Sequence, residues 1–456
     1  MDNNTIWSLR LGFSGKQAEQ INKEGIKVFL QNSFTAGSET GTPAFIQSSP
    51  KTQAEFMEYE KSFSDKEKLK MWRRKTFYNL KEWWVQKIQE ENYPLIEKMT
   101  LFWHNHYVST YEKVRIHSWL YDYNCVLRKN AFGNFRELTK AVLHTNAMVR
   151  YLDNSKNRDG DFNENLSREL LELFTLGVGN YTEEDIKNGA KALAGLTHGE
   201  KRAEYRPKLE YNGTITYFGK TGKFKSDEIV DIIFEQKSAP YLITEKLLKW
   251  FIYDNPPKEL VTYYGDYLRS QDFEIKPLLI KMFSEEFSKP TAGSKIKDPL
   301  VYILHLLDEL NIKEHHNALI IAFCDTQGME LFAQPNVKGW EGANSWLTTQ
   351  ILLQRNNTAD ELCRGKNIKL NYLKKVGANV DGYISKISTH LEWKKGNNKE
   401  VIEQLTNRLI FHTDEDMRED LENILKYDFD PNLPSADDGV MRLFNHLVKT
   451  PEFQLI

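Results

Sequence analysis

The stretch Pro94–Val108, PLIEKMTLFWHNHYV, decides how the rest of the chain is read. Were it a strand, His104 and His106 would share one face and could chelate a single ion. On a helix, two residues i and i+2 point about 200° apart. The segment reads as a helix, with Pro94 suited to its first turn. The two imidazoles then face different surroundings. Chelation by both would need a distorted helix end and further ligands, for which His144, Asp153 and Glu169 are the candidates. The plain alternative is a hydrogen-bonded core histidine and a surface one.

The same helical punctuation continues on both sides. Ser14 precedes GKQAEQINKEGIKVFLQNSF, where Ala18 and Ile21 begin an apolar repeat at helical spacing. Ser64 followed by Glu67 is a capping-box pattern. It opens a long amphipathic stretch carrying Leu69, Trp72, Phe77, Leu80, Trp84 and Ile88. Further helices are predicted near 112–128, 134–145, 164–176 and 183–194, the last opened by Thr182 and Asp185 and stopped by Gly195. They resume near 226–235, 239–253, 257–270, 275–287, 299–311 and 314–325. Between the two series, RPKLEYNGTITYFGKTG (Arg206–Gly222) is rich in Tyr, Thr and Ile and contains Asn212–Gly213, which suggests a β-hairpin. The expected fold class is all-α, a large multi-helix array with one small β-hairpin insertion. The chain divides into an N-terminal helical region (1–200), the hairpin insertion (201–222) and a C-terminal helical region (223–456).

Composition excludes several classes of function. The 61 basic and 64 acidic residues leave a net charge of −3, so no global basic field draws the chain to nucleic acid. The basic run Lys66–Lys75 reads as the wet face of a helix. Three widely spaced cysteines, Cys125, Cys324 and Cys363, form no CxxC pair and no disulfide framework. No apolar run approaches the roughly 20 residues a membrane span needs. The start lacks a basic segment followed by an apolar one. As it stands the chain therefore reads as cytoplasmic; one whose leader had been removed would look the same.

The least ordinary segment is Tyr151–Ile186, YLDNSKNRDGDFNENLSRELLELFTLGVGNYTEEDI. Asn163 can cap the helix that follows, and Glu164 then lies in the first turn, where the dipole favours an anion. Asn165, Glu169 and Glu172 fall on one face at i, i+4 and i+7. Such carboxylates can bridge a metal or form an acid–base pair; a solvated face braced by Glu164 and Arg168 is the plain reading. A third segment, AQPNVKGWEGANSWLTT (Ala333–Thr349), combines Pro335, Gly339 and Gly342 with Trp340 and Trp346. It either lines a pocket for a flat or sugar-like ligand, with Asn336, Lys338 and Glu341 as polar contacts, or is a loop plugged by indoles. No HExxH, Walker or GxGxxG pattern occurs.

Together, FWHNHY, YLDN, NENLSRELLELFTLGVGNYTEEDI, QPNVKGWEGANSW, the early LRLGFSG and the closing TPEFQLI resemble the bacterial domain-of-unknown-function 1800 family, from about residue 6 to the end. The resemblance implies a large, mostly helical bacterial protein and carries no catalytic assignment. Many members have a histidine where this chain has Phe174. Many also carry a His-Asp-x-Gly-x-Lys-like patch where this chain has EYNGTITYFG (Glu210–Gly219).

Two classes of function follow. In an enzyme, Glu169 would be a general base or metal ligand and His104 or His106 its partner. Arg168 would hold an anionic group or orient Glu169. Asn163 and Glu164 would complete the site, and a divalent metal held by His104, His106, Glu169 and Asp153 would be the cofactor. Hydrolysis and metal-assisted oxidation both suit that set, with a sugar-like or polymeric substrate. In a binding or assembly module, the partner would be a protein or polysaccharide, the aromatics would anchor it, and the polar residues would form an inert buried network.

Overall fold

The computed structural model describes residues 1–36, 41–315, 317–367, 373–374, 385–427 and 429–456. Among them the architecture is an all-α array with two two-stranded antiparallel pairs. The longest helix, Lys66–Glu90, is capped by Asp65, whose carboxylate accepts from the Glu67 amide at 2.8 Å. The predicted cap, Ser64, lies one residue outside. A carboxylate placed at the N-terminus gains the dipole as well as the hydrogen bond. Leu80, Trp84 and Ile88 face the core, while the basic run before them stays mostly exposed.

Two predicted helices are broken where the backbone turns left-handed. Gly25 (φ 78°) separates Ala18–Glu24 from Ile26–Thr35. Arg115 (φ 64°) separates Tyr111–Val114 from His117–Lys129. The hairpin is present but its turn is not at Asn212–Gly213. Ile215–Tyr217 pairs with Lys220–Gly222, and the turn is Phe218 (φ 46°) and Gly219 (φ 77°). A two-residue hairpin of this twist needs positive φ at both central positions, and Gly219 meets that at no steric cost. A second pair, Leu196–Thr197 with Glu204–Tyr205, is too short to leave a periodic signal in the sequence.

The helix Glu183–Leu193 opens at Thr182 and Asp185 as expected, and the two form a capping box. The second Asp185 oxygen accepts from the Phe218 amide at 3.1 Å, so one carboxylate ties the helix start to the hairpin turn. Thr182→Ala is expected to cost about 1 kcal/mol, read as a lower denaturant midpoint with an unchanged slope.

The core runs continuously from Ile6 to Ile456. Buried ion pairs cross it: Glu97 accepts from Arg128 at 2.7 Å, and Lys98 reaches Asp298 at 2.9 Å. The three cysteines are free thiols. No helix among the described residues is long and apolar enough to cross a membrane.

Candidate functional site

The Leu95–His106 helix is almost wholly buried, and its last turn is where the unusual segments meet. His104 and His106 diverge as a helix requires. His104 packs among Trp84, Tyr123 and Phe332. Its Nδ1 and its own carbonyl both lie 3.2 Å from Gln334 Nε2. Because a carbonyl only accepts, the Gln334 amide group must face it, and His104 Nδ1 is an acceptor. Burial pulls His104 down to about 3, so it is a neutral core group.

Asn105, between the histidines, holds the Gly/Trp loop. Its Oδ1 accepts from the Trp340 amide at 2.7 Å. FWHNHY and QPNVKGW, 230 residues apart at Gln334 and His104, are thus one structural unit. Asn336 serves the loop itself, accepting from the Lys338 amide at 2.8 Å.

His106 faces elsewhere. Its Nε2 lies 3.1 Å from the Phe174 carbonyl and its Nδ1 3.2 Å from Lys246 Nζ. Lys246 also donates to the Leu173 carbonyl at 2.8 Å. These carbonyls are available because the helix begun at Asn165–Glu169 widens into a π-helical turn over Leu170–Thr175. The Leu176 amide bonds back to Leu171, and Gly177 (φ 83°) then ends the helix. The last carbonyls of a helix need outside donors, and a cation there also suits the dipole. π turns of this kind are frequent at functional sites.

A cavity of about 260 Å³ opens beside this pair, walled by Phe102, Trp250, Trp340 and Trp346. Lys246, Lys249, Lys295 and Lys338 line it against only Asp254 and Glu341. The indole N–H groups of Trp250 and Trp340 find no partner among the described residues. Burial lowers Lys246 to about 8. Burial, and then the Lys246 charge, hold His106 well below the ordinary imidazole range.

The remaining residues singled out in the sequence are not gathered around this cavity. Glu169 carries a raised carboxyl, first through burial and then through Glu172, with Arg168 and Lys338 opposing. It is electrostatically coupled to the loop without lining the cavity. Arg168 binds Glu183 at 3.0 Å and Glu164 at 3.3 Å. Asn163 accepts from the Asn165 amide at 3.0 Å, but the cap position falls one residue later than expected, on Glu164, which makes no side-chain cap bond. Asp153 (φ 56°) pairs with Lys113 at 2.8 Å and Lys156 at 3.2 Å, in a separate polar depression reached by Gln334 and Pro335.

The expected metal quartet of His104, His106, Glu169 and Asp153 is therefore not assembled. Among the described residues, no three His, Cys, Asp or Glu side chains are placed to hold an ion. The helix turns the two imidazoles apart, and two ammonium groups occupy Asp153. His144 is also elsewhere, with Nε2 2.9 Å from Asp227. The Glu210–Gly219 patch lies outside the cavity lining, with Glu210 paired to Lys225. The phenyl ring of Phe174 is 6.0 Å from His106.

Lys246 is the residue that reading the sequence missed. Its signal was available: with Ile243, Leu247 and Trp250 it falls at i, i+3, i+4 and i+7, a lysine on the apolar face of the Ala239–Phe251 helix. Asn105 and Gln334 were hidden between more conspicuous neighbours.

No curated protein and no solved structure matches this chain. The family model described as "Protein of unknown function (DUF1800)" matches residues 6–455, nearly the whole chain, and the protein belongs to that family.

Proposed function

We propose that this chain is an enzyme that takes a small anionic molecule into the cavity beneath the Gly/Trp loop, with Lys246 and His106 as its polar centre. The observation that carries the reading is the composition of that wall: four lysines line it among three indoles, and with Lys249 paired to Glu245 and Lys295 to Asp254, Lys246 and Lys338 are the cations turned to a guest. Cations and N–H donors in a partly dry cavity favour oxyanions. Its volume suits a small molecule rather than a length of polymer. His106 stays neutral at neutral pH and can accept a proton at Nδ1, since the Phe174 carbonyl fixes the hydrogen on Nε2. Glu169 contributes through Lys338 rather than by contact.

A small dicarboxylate such as oxalate is expected to raise the unfolding midpoint saturably. The linkage gives about 2.7 kcal/mol at a hundredfold excess over Kd. Lys338→Ala should abolish that response. It should leave the ligand-free protein within about 0.5 kcal/mol, because Lys338 is exposed. The pH dependence has a definite sign. The Lys246 ammonium attracts the anion and is lost as pH rises through about 8, so affinity should fall there.

One observation favours a second reading, a binding module with an inert network: Lys246 and His106 also satisfy carbonyls at a helix end. If that is their whole role, no small anion will shift the midpoint at any pH from 6 to about 9.

A further inference from the structure

Resting on that cavity reading, we propose that Lys246 is an amine nucleophile that condenses with the carbonyl group of a small anionic aldehyde or 2-oxo acid, forming an imine with His106 beside it. The geometry of the nitrogen carries this. A lysine nitrogen has three positions besides its carbon. Two of those at Lys246 are spoken for, by the Leu173 carbonyl at 2.8 Å and by His106 Nδ1 at 3.2 Å. Both partners accept. A carbonyl can do nothing else, and the Phe174 carbonyl keeps the His106 hydrogen on Nε2, leaving a lone pair on Nδ1.

An uncharged amine therefore fits without an unsatisfied hydrogen. Its two N–H bonds point at these two acceptors, and its lone pair takes the third position. Lys246 is among the residues that line the cavity, and imine formation requires this third position to lie on the cavity side, where a guest meets the lone pair. A helix end that needed only a cation would not require the second acceptor to be an imidazole nitrogen. Burial supports the same state, since it makes the amine easier to deprotonate than an exposed lysine.

The step balances without an oxidant or metal. The nitrogen lone pair forms the C–N bond as the carbonyl π pair moves onto oxygen. One N–H proton passes to His106 Nδ1 and from there to that oxygen. The second N–H proton follows to the same oxygen, which leaves as water while the nitrogen lone pair forms the C=N bond. Lys249 is paired with Glu245 at 2.6 Å and Lys295 with Asp254 at 3.6 Å, so Lys338 is the lining cation that selects a guest carrying a carboxylate or phosphate next to its carbonyl.

The probe is glyoxylate with cyanoborohydride on the full chain, followed by peptide mass mapping. At pH 8, Lys246 holds about a hundredfold more neutral amine than a free lysine side chain would, and should gain the carboxymethyl adduct much faster than the exposed Lys201 does. Acetaldehyde, which lacks the anion, should keep the part of that preference set by the neutral amine and label Lys246 more slowly than glyoxylate does. His106→Asn should slow trapping at Lys246 about tenfold while leaving Lys201 unchanged. Lys246→Arg keeps donors for both acceptors, should give no adduct there, and should still respond to oxalate.

Adducts spread over exposed lysines, with Lys246 unlabelled while oxalate still raises the unfolding midpoint, would overturn the imine and leave the cavity reading standing. Lys246 unlabelled and no response to oxalate would remove both. An unchanged rate in His106→Asn would remove the proton-transfer role of the imidazole.

Discussion

Asp298→Ala is expected to destabilise the chain by about 5 kcal/mol, the largest effect of any single substitution argued from this structure. Both oxygens of Asp298 are committed. One accepts from Lys98 Nζ at 2.9 Å, and the other accepts from the Val301 amide at 2.9 Å, capping the helix Pro299–Glu309. Lys98 is 1% exposed and Asp298 3%, so truncation leaves an ammonium group in the core without its counter-charge. That alone costs about 3–5 kcal/mol, and loss of a cap about 1 more. Against a typical net stability of about 5–15 kcal/mol, the variant is at the edge of folding. Asp298→Asn separates the two contributions, since an amide oxygen can keep the cap while the charge is lost. It should recover about 1 kcal/mol relative to alanine.

The acid limb gives an independent check. Burial pushes the Asp298 carboxyl up, but Lys98 and the Val301 amide outweigh it and hold the group below its ordinary value. A carboxyl depressed on folding contributes stability that is complete above its unfolded value near 3.9. That contribution is lost as pH falls through the folded value. Asp298→Asn should therefore be flatter than the native chain below about pH 4. Equal midpoints for the native and alanine chains would mean that Lys98 finds another partner.

What the sequence disclosed, and what it hid, follows from the range of the interactions involved. Helices announce themselves through near neighbours, so the predicted and observed positions agree closely at Ala239–Phe251 or Ile275–Phe287. Their interruptions at Gly25 and Arg115 depend on single left-handed residues, which periodicity does not register. The hairpin turn was misplaced because Asn-Gly is the stronger local signal, whereas the pairing register is set by Ile215 and Tyr217, both buried. The divergence of His104 and His106 was legible, being a property of one helix. The π turn that presents Leu173 and Phe174, and the lysine from a helix 73 residues beyond Leu173 that meets them, were not. Contacts at that separation leave no periodic trace. A charged residue on an apolar face was the one available clue.

Gly339→Ala is the prediction that tests whether the Gly/Trp loop and the FWHNHY helix act as one site. Gly339 has φ 87°, a conformation that costs a residue with a side chain about 1–3 kcal/mol. A methyl group there would also stand 2.3 Å from Asn105 Oδ1 and 2.6 Å from the Asn105 carbonyl oxygen. The second of these is helix backbone, packed in the core, so it cannot swing aside as a side chain could. The loop must lift, breaking the 2.7 Å bond from the Trp340 amide to Asn105 and withdrawing Trp340 from the cavity wall. The expected cost is about 3 kcal/mol in stability, strain and lost hydrogen bond together. The larger effect falls on the site. With its indole wall displaced, Lys246 gains solvent, its ammonium form is stabilised, and labelling by an amine reagent should shift to higher pH than in the native chain. Trp340→Phe keeps both the loop amide and the glycine. It should therefore preserve stability far better than Gly339→Ala while still altering the cavity. If Gly339→Ala instead left both the unfolding midpoint and the pH of Lys246 labelling unchanged, the loop would not be docked on Asn105, and the wall that makes this cavity a binding site would have to be drawn elsewhere.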